Sequence, residues 1–235
     1  MRVLHWAQSG LPHLVLLFLT IATLLAAPGL AKAIGLAAAD DRYAVRISVP
    51  LLPFDENSPP PFVLPAADTA EFEQAAHCMS EAVYYEAAFE PLDGQRAIAQ
   101  VIVNRVRDRN FPSSICEVVY QGWKRHTGCQ FSFVCDGSLK RRPPTDEQLA
   151  EARIVAEQAL TGYVVPEVGT ATHYHTTYVD PYWAPTLVEI TKIGEHIFYK
   201  WPGKAGRATS LQQHYAGGEV RFWRTAAGRL PRAHA

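Results

Sequence analysis

The sequence predicts an α+β domain, with its helices first and a small antiparallel sheet in its C-terminal half. Three observations carry this expectation. Apolar residues recur at steps of three and four from Phe72 to Val106, the spacing of helix faces. A capping pattern, Thr145-Asp146-Glu147-Gln148, opens a further helical run. Beyond Gly162 the chain changes to short segments rich in β-branched and aromatic residues, which read as strands.

The elements follow in order. Asp68 is placed to cap the first helix, with Glu71 completing a capping-box-like pair. That helix is expected to run to about Ala87 and to stop before Pro91. Phe72, Ala75, Ala76, Met79 and Val83 form its buried face, and Glu81 points the opposite way. A second helix, roughly Asp93 to Arg107, carries the stripe Ala97, Ile98, Val101, Ile102 and Val106. A short apolar turn at Ile115 to Tyr120 precedes a long glycine-containing loop, Gln121 to Leu139. The third helix runs from Thr145 to Leu160 and ends at Gly162. Ala171 to Tyr178, Val188 to Lys192 and His196 to Trp201 are the expected strands.

Residues outside this domain read differently. Leu14 to Ala27 is an apolar run of signal-peptide length, and Ala31-Lys32-Ala33 offers a cleavage site, so residues 1–33 read as an export signal. An uncleaved anchor is the alternative, although a spanning helix usually needs about 20 apolar residues. Either way the rest of the chain is exported, to the periplasm or cell envelope. Residues 34–67 hold Pro50, Pro53, Pro59, Pro60, Pro61 and Pro65 and read as a stiff linker, with a short strand at Tyr43 to Val49 as an option. The domain is expected over residues 68–202. Residues 203–235 form a basic tail, in which Glu219 is the one acidic residue, and read as a solvated, partly disordered extension. The sharper reading of the tail, as of an uncleaved N-terminal segment, is contact with anionic envelope polymer or membrane lipid. The whole chain has a formal net charge of -1, with 48% hydrophobic and 19% charged residues. That balance lacks the basic excess of a nucleic-acid binder. Oligomeric state is left open.

The stretch Tyr84-Tyr85-Glu86-Ala87-Ala88-Phe89-Glu90-Pro91 is the most informative. Glu86 lies on the apolar face of the first helix, seven residues beyond Met79. Desolvation there disfavours the charged form and raises the pKa. A carboxylic acid still protonated near neutral pH is what cleavage of a glycosidic bond needs as general acid. The structural alternative is a helix-end glutamate paired with Arg96.

With Gly94-Gln95, the helix ending Asn104-Arg105-Val106, Phe111-Pro112, Gln121, Gln130-Phe131-Ser132, Asp136-Gly137 and Gly194-Glu195-His196-Ile197-Phe198, this stretch resembles the SleB/CwlJ family of bacterial cell-wall hydrolases. Ala88-Phe89 departs from the Arg-Gly usual in that pattern. The resemblance implies a lysozyme-like helical core around one glutamate, peptidoglycan as substrate and no cofactor. It also implies lytic transglycosylation, in which Glu86 acts as acid and then as base. It makes Gln130, Phe131 and Ser132 cleft residues, and Tyr174 and His175 are placed to complete the wall. Simple hydrolysis needs a second carboxylate, for which Asp136 is the first choice and Glu90 the second. A catalytically silent wall-binding protein is the rival from another class.

Four cysteines in an exported chain suggest two disulfides. Three pairings exist; the reading leans to Cys129 with Cys135, clipping a short loop, and Cys78 with Cys116. No pair has the C-x-x-C spacing of a zinc knuckle. His173 and His175 would share one face of a strand, with His196 or Asp180 as a third ligand, but hydrogen-bonded strand histidines are the default and no metal is expected.

Overall fold

The computed structural model describes residues 58–226. The residues read as an export signal, the optional strand at Tyr43 to Val49, most of those read as a linker and the last residues of the tail lie outside the described residues.

Helix α1, Thr69–Ala87, begins as predicted, with Asp68 Oδ1 accepting the Glu71 N–H at 2.9 Å. The reciprocal half of the capping box is not made. Glu71 instead turns its carboxylate to the Glu219 N–H, at 2.8 Å. Ala75, Ala76, Met79 and Val83 are buried as expected, but so is Glu81, which is 2% exposed rather than outward-facing. Its carboxylate accepts a bond from the Tyr120 hydroxyl. The reason is that α1 is covered on more than one side, because Cys78–Cys116 ties it to helix α3, Ile115–Val119.

Helix α2, Leu92–Arg107, is the central element, and every residue from Ala97 to Val106 is buried. A helix buried all round must place its polar groups in bonds. Gln100 donates to Asn104 at 3.0 Å and accepts the Val165 N–H at 3.2 Å. Asn104 donates to the carbonyls of Gly169 and Ala171, at 2.9 and 2.8 Å. Arg105 Nε donates to the Thr172 carbonyl at 2.8 Å. This polar seam fixes the segment that leads into the first strand. Asp93, the expected start of this helix, lies inside the first turn and pairs with Arg96 at 3.3 Å, while Pro91 occupies the cap position.

The loop from Gln121 contains an isolated bridge to Gln130, a 3-10 turn at Ser132–Val134 and the Cys129–Cys135 disulfide. Helix α4, Ser138–Arg141, follows. Helix α5, Asp146–Leu160, carries the complete Thr145/Gln148 capping box, and Gly162 takes the left-handed conformation (φ 104°) just past its end.

The sheet has the order β1-β3-β2, all antiparallel, from His173–Thr176, Val188–Ile193 and His196–Lys200. The architecture is therefore α+β, helices first, as the sequence predicts. The β2–β3 turn holds Gly194 at φ 56°, and a Cβ there would stand 1.6 Å from a Glu90 carboxylate oxygen. Only glycine permits that approach.

Both margins of the expected domain are displaced. Leu64, assigned to the linker, is buried, and its N–H bonds the Leu160 carbonyl at 2.8 Å. The tail does not trail in solvent through the described residues. Gln213 donates to the Val106 and Phe111 carbonyls, at 2.9 and 3.0 Å. Helix α6, Glu219–Ala226, packs against α1 and α3. Glu219 is fully buried and accepts the N–H groups of Ile115 and Cys116 at 2.7 and 2.8 Å, capping α3 from over a hundred residues away.

Candidate active site

Helix α1 delivers Glu86 to its last turn, where the chain opens onto a cleft of about 620 Å³. Tyr84, Tyr85, Ser132, Arg142, Tyr174 and His175 are among the residues that line it with Glu86. Glu86 is half-buried. The Tyr174 hydroxyl, from β1, donates to Glu86 Oε2 at 2.9 Å. Burial pushes the Glu86 carboxyl above its ordinary value, and the Tyr174 hydroxyl and the nearby Arg105 charge pull it partly back. The alternative partner, Arg96, is elsewhere: it bonds Gln158 and Asp93 and lies over the Tyr163 ring.

Arg105 is the cation that helical spacing overlooked. It is 4% exposed and is sandwiched between the rings of Phe111 and Phe131, at 5.2 and 5.0 Å. The seam of α2 holds its Nε on the Thr172 carbonyl, two residues before Tyr174. One helix thus positions both the cation and the strand that carries the tyrosine. The sequence signal was Arg105 lying beside Val106 within the apolar stripe, where an arginine needs a compensating partner.

The Cys129–Cys135 loop separates its residues by side. Phe131 and Phe133 are buried, and Ser132 between them is exposed and lines the cleft. Phe131 stacks on Tyr174 with centroids 6.2 Å apart, and Phe133 on Tyr85 at 4.6 Å. Phe131 therefore backs the wall and is not exposed on it. Gln130 is exposed and pairs with Gln121 through the backbone, apart from the residues that line the cleft. Phe89, in the departure from the family pattern, is 98% exposed on the cleft rim.

The other carboxylates are occupied. Asp136 accepts the Ser138 N–H at 2.7 Å in an Asp-Gly turn and does not line the cleft. Glu90 lines it, but its oxygens accept the Glu195 N–H at 3.1 and 3.3 Å and stand 3.4 Å from His196 Nδ1. Glu90 thereby ties the end of α1 to the β2–β3 turn. The histidines are engaged too. His173 meets the Thr172 hydroxyl at 2.9 Å among Phe111, Trp183 and Trp201, and burial lowers its pKa to about 4. His175 Nε2 meets the Tyr199 hydroxyl at 2.9 Å. Among the described residues, no three His, Cys, Asp or Glu side chains gather closely enough to hold a metal ion. Both disulfides form in the pairing toward which the sequence leans, Cys78–Cys116 and Cys129–Cys135.

Comparison with known proteins gives a consistent family. Residues 89–199 match the family model described as Cell Wall Hydrolase, a match that begins just after Glu86. The spore cortex-lytic enzyme of Halalkalibacterium halodurans is 33% identical over 120 residues, 51% of this chain and 33% of that protein. The spore cortex-lytic enzyme of Bacillus cereus is 30% identical over 146 residues, 62% of this chain and 51% of that protein. The chain thus spans between a third and a half of these relatives' length. Among solved structures, the catalytic domain of the germination-specific lytic transglycosylase SleB from Bacillus anthracis is 30% identical, covering 55% of this chain and 95% of that one, with a TM-score of 0.44. With the motifs from Tyr84 to Phe198, these matches show that the chain belongs to the SleB/CwlJ-type family of cell wall hydrolases.

Proposed function

We propose that this chain cleaves the glycan strand of peptidoglycan in the cell envelope, between N-acetylmuramic acid and N-acetylglucosamine. Glu86 serves as general acid and then as base, in a lytic transglycosylation within a lysozyme-like core. The observation that carries the proposal is a single desolvated carboxyl on a cleft of saccharide size, held by one tyrosine hydroxyl. Protonated Glu86 gives its proton to the glycosidic oxygen as the C1–O bond breaks, and the bond's electron pair leaves with the N-acetylglucosamine hydroxyl. The oxocarbenium ion at C1 is then met by the muramic acid 6-hydroxyl. Its proton passes to the Glu86 carboxylate, and O6 closes on C1 to give a 1,6-anhydro end. The Tyr174 hydroxyl and the Arg105 charge favour the carboxylate between the two transfers. No water-activating second carboxylate is required, in keeping with the structural bonds that occupy Asp136 and Glu90.

The test is mass spectrometry of purified peptidoglycan digested by the full chain and by its Glu86→Gln variant. Anhydro-muramic ends from the unsubstituted chain alone are expected. Reducing muramic ends would overturn transglycosylation in favour of hydrolysis. No release by either protein would move the chain to the wall-binding reading.

A further inference from the structure

Arg142 is the one arginine or lysine among the described residues lining the cleft, and the scheme above gives it no role. Its backbone and one arm are fixed from behind. The Arg142 N–H bonds the Ser138 carbonyl at 2.9 Å, and Nη2 bonds the Ser138 hydroxyl at 3.1 Å. Ser138 is itself fully buried, and its N–H is held by Asp136. Pro143 and Pro144 stiffen the chain immediately ahead. The guanidinium nevertheless stays exposed, and Nε and Nη1 bond no other described residue. The acidic side chains of the cleft do not claim it. Glu90 is bound to the β2–β3 turn, and Glu195 accepts the Thr177 hydroxyl. Its charge does reach Glu86 and Tyr85. A guanidinium held on one side and open on the other presents a planar fork suited to a carboxylate.

We propose that Arg142 is an anion subsite that takes a carboxylate of the substrate strand, so that the cleft prefers glycans with a free carboxylate near the bond to be cut. The inference rests on the glycan-cleaving reading above and narrows its substrate class. Two groups of peptidoglycan supply that chemistry: the free carboxylates of the stem peptide, and the lactyl carboxylate of muramic acid that has lost its peptide. Chitooligosaccharides have the same sugar backbone and neither group.

The experiment is calorimetric binding to the full chain carrying Glu86→Gln, which leaves the strand uncut, with and without Arg142→Gln or Arg142→Lys. The ligands are peptide-bearing glycan oligomers, the same oligomers stripped by an amidase, and chitohexaose. Arg142→Gln is expected to weaken at least one carboxylate-bearing ligand about tenfold and to leave chitohexaose unchanged. The lysine variant, which keeps the charge without the fork, is expected to recover part of the loss. Loss confined to the peptide-bearing oligomers names the stem carboxylates; loss confined to the stripped oligomers names the lactyl group. Equal loss for all three ligands, or no loss for any, overturns the subsite while leaving the cleavage reading intact. No binding of any strand before Arg142 is changed overturns both.

Discussion

Glu219 offers the most quantitative test of how this fold is held together. Burial drives its carboxyl from the ordinary 4.5 up to about 7, against the pull of the Ile115 and Cys116 N–H groups and the neighbouring Tyr215 hydroxyl; the Glu71 charge adds to the rise. A carboxyl whose folded pKa lies above its unfolded value contributes stability that is fully present below the unfolded value and is lost as pH rises through the folded one. At 1.36 kcal/mol per pH unit, the interval amounts to about 3 kcal/mol. His173 works in the opposite direction. Its pKa falls from 6.5 to about 4, so it adds stability as pH rises across that interval, by a smaller amount where its ring still meets water. The two trends oppose each other between about pH 4.5 and 6.5, so the Glu219 contribution is read as a difference between two chains. Glu219→Gln removes one of them. Urea unfolding of the full chain, disulfides intact, should show the variant gaining on the unsubstituted chain by about 3 kcal/mol between pH 4.5 and 7.5. A difference flat to within about 1 kcal/mol would refute the reasoning and mean that the two N–H bonds keep Glu219 ionised throughout.

The remaining expectations concern the crosslinks and the acid. Replacing Cys78 and Cys116 together by alanine opens a loop with a sequence separation of 38, worth about 4 kcal/mol by loop entropy, and replacing Cys129 and Cys135 opens one of 6, worth about 2. Chemical denaturation checks the order, and an equal or reversed pair of losses would show that loop length does not govern it. Tyr174→Phe removes the hydroxyl that lowers the Glu86 pKa, so Glu86 should stay protonated to higher pH. The alkaline limb of kcat/KM should move upward and kcat should fall roughly tenfold; a limb that stays in place or moves downward would detach Tyr174 from the acid.

What could be read from the sequence was what a few neighbouring residues decide. Asp68 and the Thr145/Gln148 pair cap helices within one turn, and the strands announce themselves by composition. The position of Glu86 on an apolar face could be read for the same reason. Burial imposed by distant segments could not. Helical spacing turns Glu81 outward, and only the return of Tyr120 to that side covers it. A tail with an excess of arginines looks solvated, because its one acidic residue gives no sign of reaching the start of α3.

The same distinction explains why Glu86 stands apart from the other carboxylates of this domain. Glu81, Glu86, Glu90 and Glu219 are all buried or half-buried in the fold. The packed chain gives three of them structural tasks. Glu81 bonds the Tyr120 hydroxyl, Glu90 accepts the Glu195 N–H, and Glu219 accepts two backbone N–H groups. A change of charge in such a role acts directly on groups that hold the fold, as the pH dependence worked out for Glu219 illustrates. Glu86 accepts one side-chain hydroxyl and opens to the cleft, with the Arg105 cation held nearby by a separate bond to the backbone. Its carboxylate bonds no backbone group among the described residues, so a change of protonation state there breaks no backbone hydrogen bond. That freedom is what a residue acting first as acid and then as base requires.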